Sequence, residues 1–353
     1  MNDKQKAFVI LSPGFASSET DSTCLPMQQS FVRSISKLYP QIEIIVLSFQ
    51  YPFFEKTYKW FDATVISFNG RNRGGLQGIF LRRSVGRKLK AIHKTKQIVG
   101  LLSFWLGECA YIGKKFAERN SITHYCWLLG QDARANNKYL KRFSIRSNEL
   151  IALSDFLQEE FQRNYNIKPA SVIPPGVNEI NFTHASREVD LLAVGSLIEL
   201  KQFEIFVDAV AAIKKHLPGV TALLVGDGPE KDNLEKLITT HNLKNNVTIT
   251  GEIGHEEVIN TMQRAKILLH PSSYEGFSGV CQEALSSGAH VISFCRAMNT
   301  DIPQWHIVKS KEEMIEKALQ ILKTNTTTYS RTKFPSMENT ARMMMHHYLQ
   351  GQQ

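Results

Sequence analysis

The sequence predicts an α/β protein made of two Rossmann-like domains, and three observations carry that prediction. Short runs rich in β-branched residues alternate with segments of helical period along most of the 353 residues. The strand runs are almost continuously apolar rather than alternating, which is the pattern of parallel sheets covered by helices on both faces. The alternation breaks at Ile173-Pro174-Pro175-Gly176, where two prolines and a glycine suit neither a helix interior nor a central strand, and then restarts.

The first half offers strands at Ala7 to Leu11, Ile42 to Phe49, Thr64 to Phe68, Ile98 to Ser103, Thr123 to Leu128 and Leu150 to Leu153, with helices such as Cys24 to Leu38 and Cys109 to Arg119. The second half restarts with a strand at Leu191 to Val194, a helix at Phe203 to His216, a strand at Ala222 to Val225 and a helix at Glu230 to His241. Further strands fall at Val247 to Thr250, Ile267 to His270 and Val291 to Phe294, and further helices at Glu256 to Arg264, Val280 to Ser287 and Lys311 to Leu322. A last helical segment runs from Met337 to Leu349, after the polar stretch Thr324 to Pro335. The expected domains are therefore 1–176, 177–330 and a C-terminal helix in 331–353 that packs back on the first domain.

Hydrophobic residues make up 42% and charged residues 21%, the balance of a folded globular protein. The apolar stretch at Ala7 to Leu11 is too short for a signal-peptide core and no run approaches a membrane span, so the default expectation is a cytoplasmic protein. Five scattered cysteines without a CxxC pair read as reduced, buried thiols and not as structural zinc ligands.

Net charge is +9, and its excess is concentrated. No acidic residue lies between Asp62 and Glu108, while nine Lys or Arg do, from Arg71 to Lys96. Within this window Leu81, Val85, Leu89 and Ile92 follow helical spacing with cations on the other faces. Such a helix either rests on anionic lipid, peripherally at the inner face of a membrane, or packs on its domain by the apolar stripe with a solvated basic face. The window lacks interleaved aromatics and resembles no nucleic-acid module, so nucleic acid is not expected as a partner.

The chemistry concentrates in His270-Pro-Ser-Ser-Tyr-Glu-Gly-Phe-Ser-Gly-Val-Cys-Gln-Glu-Ala284. A buried strand ends there, a loop follows, and a helix begins near Gly279. The amides of Ser278, Gly279 and Val280 then sit at a helix N-terminus, where anions bind. Glu275 lies in the loop and Glu283 one turn into the helix. Carboxylates accept paired sugar hydroxyls well, so Glu275 reads as a ligand for a sugar and Glu283 for a ribose diol; two solvated glutamates are the plain alternative.

Two further turns supply context. Val194-Gly195-Ser196-Leu197 and Val225-Gly226-Asp227-Gly228-Pro229 each put glycine at the carboxyl end of a parallel strand, where open α/β sheets bind ligands. Lys201 follows the first and is a candidate partner for a diphosphate. Asp227 and Gly228 equally suit a simple turn into the next helix.

Leu191 to Phe294 resembles the C-terminal half of family 4 retaining glycosyltransferases of the GT-B fold. The residues that carry the resemblance are Gly195-Ser196-Leu197, Lys201-Gln202, Gly226-Asp227-Gly228-Pro229, Pro271-Ser272, Glu275-Gly276-Phe277-Ser278, Glu283-Ala284 and Gly288-Ala289-His290-Val291, in the family's order and spacing. Upstream, Ser154, Ile173-Pro174-Pro175-Gly176-Val177-Asn178 and Gly130-Gln131-Asp132 resemble the family's linker and its His-Gly-x-Asp segment more loosely. Ser196 stands where the family usually has an Arg, Leu129 where it often has His, and Pro13-Gly14-Phe15 where it often has a Gly-Gly loop.

The resemblance implies parallel sheets facing an interdomain cleft and transfer of a sugar from a nucleoside diphosphate to an acceptor hydroxyl with retention. The acceptor is expected to be a glycan or lipid-linked molecule of cell-surface polysaccharide, lipopolysaccharide or glycolipid synthesis. It implies catalytic roles for Glu275, Lys201 and Asp132, donor contacts from Glu283, Ser196, Gly195, Gly226, Gly228, Ile253, Gly276, Phe277, Ser278, Gly279 and Val280, and acceptor-side positions at Gly14 and Gly130. It implies neither cofactor nor metal, and the chain has no Asp-x-Asp motif. For Asp132, capping the next segment is as good a reading as acceptor contact. A sugar-nucleotide-binding protein without turnover and a sugar-nucleotide epimerase on the same scaffold are the competing readings.

Overall fold

The computed structural model describes residues 4–177, 180, 186–324 and 328–349; Asn178 of the linker motif and Thr326 and Thr327 lie outside them. The chain divides into two compact units, 1–178 with 335–353, and 179–334.

The first unit contains β1 (Lys6–Gly14), α1 (Pro26–Leu38), β2 (Glu43–Tyr51), β3 (Glu55–Trp60), β4 (Ala63–Phe68), α2 (Gly75–Thr95), β5 (Gln97–Phe104), α3 (Glu108–Asn120), β6 (His124–Leu128), β7 (Leu150–Ala152), α4 (Asp155–Tyr165) and β8 (Ser171–Val172). Its eight-stranded sheet runs β3-β4-β2-β1-β5-β6-β7-β8. All neighbours are parallel except β3, which pairs antiparallel with β4 through a tight hairpin at Phe61 and Asp62. The sequence pattern does not reveal β3: its Glu-Lys-Thr-Tyr-Lys-Trp run is charged and largely exposed, as an edge strand tolerates and a central one does not.

The apolar stripe of the basic window is turned onto the sheet. Leu81, Val85, Leu89 and Ile92 are buried in the same core as Val9, Leu11, Ile45 and Leu47 of the sheet, so the stripe holds the helix to its own domain.

The second unit contains β9 (Val189–Val194), α5 (Phe203–Lys214), β10 (Ala222–Val225), α6 (Lys231–Thr240), β11 (Val247–Gly251), α7 (His255–Arg264), β12 (Ala265–His270), α8 (Gly279–Ser286), β13 (His290–Ser293), β14 (Trp305–Ile307) and α9 (Lys311–Lys323). Its six strands are all parallel, in the order β11-β10-β9-β12-β13-β14. Leu191 and Ala193 of β9 enter one core with α5 and α9, while Val189, Leu192 and Val194 enter a second with α7 and α8. Successive side chains of a strand point to opposite faces, so covering both faces requires the continuous apolar run seen in the sequence.

The C-terminal helix α10 (Met337–Leu349) belongs to the first unit. Thr340 Oγ1 donates to the Pro174 carbonyl at 2.9 Å, and the Tyr348 hydroxyl donates to the Leu101 carbonyl at 2.7 Å. The Tyr348 ring occupies the space a side chain on Gly100 would fill, and meets Phe8 edge-on at 4.8 Å. Only glycine at position 100 lets the helix lie this close to β5.

Candidate functional site

The site forms at the carboxyl ends of β9, β10 and β12, the three adjacent strands of the second sheet. The first two end in glycine turns that fit against each other. Gly226 has φ +146°, and a Cβ there would overlap the Gly195 carbonyl oxygen; a Cβ on Gly228 would lie 2.5 Å from the Leu197 oxygen. Three backbone bonds close the pair: Gly195 N–H to Val225 O at 3.0 Å, Leu197 N–H to Asp227 O at 2.9 Å and Glu230 N–H to Leu197 O at 3.0 Å. Asp227 accepts the Gly228 N–H at 2.7 Å and pairs with Lys231 at 3.3 Å. Ser196 is exposed at the tip of the first turn.

Beyond Ser196 a 3-10 turn, Glu199–Lys201, carries Lys201. The loop after β12 is tied to this turn at one carbonyl. The Ser273 N–H reaches Leu200 O at 3.1 Å, and the hydroxyls of Ser272 and Ser273 reach it at 3.3 and 3.2 Å. This clasp brings the Lys201 ammonium into an ion pair with Glu275.

Glu275 has a second partner that sequence reasoning did not single out. His270, the last residue of β12 and 1% exposed, places Nε2 3.2 Å from the same Glu275 Oε1. Burial alone would raise the Glu275 carboxyl; the His270 hydrogen bond and the Lys201 charge outweigh it and hold the group at about 2. Burial also pulls the His270 imidazole below its ordinary range, and the nearby Lys201 charge adds to this against the opposing pull of Glu275. The neutral ring then donates Nε2–H, because an ionised carboxylate can only accept. Glu275 is thus a fixed anion with its charge state set by two neighbours, one on the turn after β9 and one at the end of β12.

Glu283, on the first turns of α8, is held from α7: His255 Nε2 stands 2.8 Å from Glu283 Oε1. That bond raises the His255 pKa against a smaller opposing effect of burial. The α8 N-terminus is capped by Ser278, whose Oγ accepts the Cys281 N–H at 3.4 Å. Gly279 and Val280, in the first turn, have no intrahelical acceptor for their amides. Phe277 is buried at 5.9 Å from Trp305, and Gly276 is buried beside it, whereas Gly279 is exposed. Ile253 packs from the segment before α7 onto the core shared with α8.

The first-unit residues are arranged differently. Asp132 is buried, and its carboxylate accepts the Leu106 N–H at 2.8 Å, the Gly130 N–H at 2.9 Å and the Leu129 N–H at 3.2 Å. Burial raises its pKa and these amides offset only part of that. The geometry is that of a loop clasp, shaping the turn at Gly130. Gly14 ends β1, packed 3.6 Å from Cys24 and Tyr51 measured from where its Cβ would stand.

A glycine-turn pair, a cation–carboxylate–imidazole cluster and a helix N-terminus thus lie together at adjacent parallel strand ends, the place where open α/β sheets bind ligands. Residues 178–332 match the family described as Glycosyl transferases group 1. The matched residues coincide with the second compact unit, 179–334. The gpi3 subunit of a phosphatidylinositol N-acetylglucosaminyltransferase from Schizosaccharomyces pombe is 31% identical over 203 residues, 55% of this chain and 44% of that protein. The GtfA subunit of a UDP-N-acetylglucosamine–peptide N-acetylglucosaminyltransferase from Streptococcus parasanguinis is 28% identical over 51% of this chain and 35% of its own length. The chain therefore spans less than half the length of these relatives. Its fold matches a sucrose-phosphate synthase from Thermosynechococcus elongatus with TM-score 0.68 at 18% identity, covering 98% of each chain. A glycosyltransferase from Rickettsia africae matches with TM-score 0.70 at 14% identity, again over 98% of each. Each unit is thus one Rossmann-like domain, and the chain shares the fold termed GT-B.

Proposed function

We propose that the protein is a retaining glycosyltransferase that moves a sugar from a nucleoside diphosphate to the hydroxyl of a glycan or lipid-linked acceptor. The observation that carries this reading is the convergence of Lys201 and His270 on Glu275, beside the paired glycine turns. A carboxylate kept ionised and immobile suits the hydroxyls of the transferred sugar, and an ammonium in contact with it suits the leaving diphosphate. Glu283 takes the ribose diol. The amides of Ser196, Gly279 and Val280 approach the phosphates, with Gly195 holding the first turn and Gly276, Phe277 and Ser278 shaping the loop between, and Ile253 and the Gly226 and Gly228 turn bordering the base.

In the reaction the bond from the anomeric carbon to the leaving phosphate oxygen breaks. The acceptor oxygen bonds to that carbon on the same face, and its proton passes to the departing phosphate. Lys201 and the α8 amides supply the positive charge this needs, so the reading calls for no metal. Asp132 is assigned the shaping of the Gly130 loop and no proton transfer. The names of the relatives favour UDP-N-acetylglucosamine as the first donor to try.

Thermal unfolding in the presence of UDP, GDP and their sugars tests the reading. A cognate ligand at a hundredfold excess over Kd stabilises the folded state by about 2.7 kcal/mol, a rise that Glu283→Ala should cut to about 0.4–1.4 kcal/mol at the same ligand concentration. Absence of any stabilising nucleotide across the panel would refute the donor site. The anomeric configuration of the product, read by NMR, tests retention separately.

A further inference from the structure

The face of α2 opposite its buried stripe has an organisation of its own. Leu76, Phe80, Arg83, Arg87, Lys90 and Lys94 follow one another at spacings of three and four residues and are all exposed. They form one line along the outward side of the helix, about 27 Å long at 1.5 Å per residue. The line is apolar at its N-terminal end and cationic over the rest. Leu76 is 73% exposed and Phe80 63%, with Ile79 at their flank.

A second apolar element stands at the same end. The turn between β2 and β3 exposes Phe53 by 57% and Phe54 by 38%. Arg71, four residues before the start of α2, donates to the Phe53 carbonyl at 3.1 Å, and its guanidinium stands 5.4 Å from the Phe53 ring centre. The turn and the approach to the helix are therefore tied together. Large side chains exposed singly are ordinary, but five at one end of a basic helix are not. Glu55 adjoins the turn, with Lys56 and Lys59 beside it; from residue 63 to 107 there is no carboxylate in the sequence. The Glu108 carboxylate is taken by Arg82 at 2.9 Å, on the inward side of the exposed line.

We propose that this face docks on an anionic bilayer surface, with Phe53, Phe54, Leu76 and Phe80 entering the headgroup region and Arg83, Arg87, Lys90 and Lys94 lying over the lipid phosphates. A bilayer boundary offers an apolar layer and an anionic layer side by side, which matches both parts of the line. Nucleic acid would satisfy the cations and leave Leu76 and Ile79 in water; a second copy would bring like charges together. Among the described residues no helix is long and apolar enough to cross a membrane, so the contact is one of surface docking. The inference deepens the lipid-linked acceptor reading above, and rests on it only for why the protein would sit there.

Co-sedimentation of the full chain with phosphatidylcholine vesicles, with and without phosphatidylglycerol, tests it in the absence of any donor. The chain is expected to pellet with the anionic vesicles at low salt and to be released as salt rises. Arg83→Gln/Arg87→Gln/Lys90→Gln should weaken binding about a hundredfold, at roughly fivefold per cation. Leu76→Ser/Phe80→Ser should weaken it at least tenfold with the melting temperature unchanged. A chain that stays in the supernatant with anionic vesicles, or a Leu76→Ser/Phe80→Ser variant that binds like the parent, overturns the proposal. So does vesicle-free sedimentation that Phe80→Ser removes, which would assign the patch to a second copy, and so does displacement from the vesicles by single-stranded RNA. Nucleotide-induced stabilisation is measured on the same variants, so loss of docking and loss of the donor site are told apart.

Discussion

Lys201 and Glu275 are 74 positions apart in the chain and form an ion pair in the fold, over a carboxylate that a buried histidine also holds. The pair depends on β9 and β12 being neighbours, so that the segments leaving their carboxyl ends meet.

Glu275→Gln preserves the shape of the side chain and removes its charge. If Glu275 positions the transferred sugar as proposed, kcat should fall by about a hundredfold to a thousandfold, the scale seen when a preorganised electrostatic contact is removed. Donor-induced stabilisation should survive in part, because Glu283 remains. Steady-state kinetics beside thermal shift separates the two effects.

The same carboxylate sets an acid limit on stability. Its pKa in the folded protein is about 2 against an ordinary 4.5, so its contribution is present in full above pH 4.5 and is lost as pH falls from there toward 2. The shift corresponds to a contribution on the order of 3 kcal/mol. Denaturant unfolding between pH 6 and 3 should show the decline, and Glu275→Gln should flatten the part due to this group.

His255 confers a pH dependence of opposite sign. Its pKa is raised by Glu283, so the stabilising pair is complete below the ordinary imidazole pKa of about 6.5 and lost as pH rises through the raised value. A charged His255 competes with a ribose diol for Glu283 Oε1. Donor Kd should therefore fall as pH rises across this range, and calorimetric titration of His255→Ala should show that dependence gone. Glu283→Ala itself should weaken donor binding by about tenfold to a hundredfold at any pH, the cost of losing a charged hydrogen-bond acceptor.

Gly226→Ala should destabilise the second unit by at least about 3 kcal/mol, since the new Cβ meets the Gly195 carbonyl and the backbone φ is positive. Gly279→Ala, where a Cβ meets nothing within 4 Å, is the matched control. Chemical denaturation of both variants checks the contrast.

The sequence by itself determined the parallel strands, because a strand covered on both faces must be apolar along its buried length, as Leu191 to Val194, Ala222 to Val225 and Ile267 to Leu269 are. It also determined the glycine turns, since only a residue without Cβ lets Gly226 approach the Gly195 carbonyl. The tertiary structure alone decided what these elements meet. His270 reads as one more residue of a strand until β12 is set beside β9 and Lys201 comes within reach of the same carboxylate. His255 has no visible role until α7 lies against α8. Edge strand β3 hides because a charged pattern is also that of a loop, and the two apolar sets of α2 have the same composition until one of them is covered by the sheet. Periodicity is a property of neighbours along the chain; charge pairing and burial depend on neighbours in space, and strand order decides which those are.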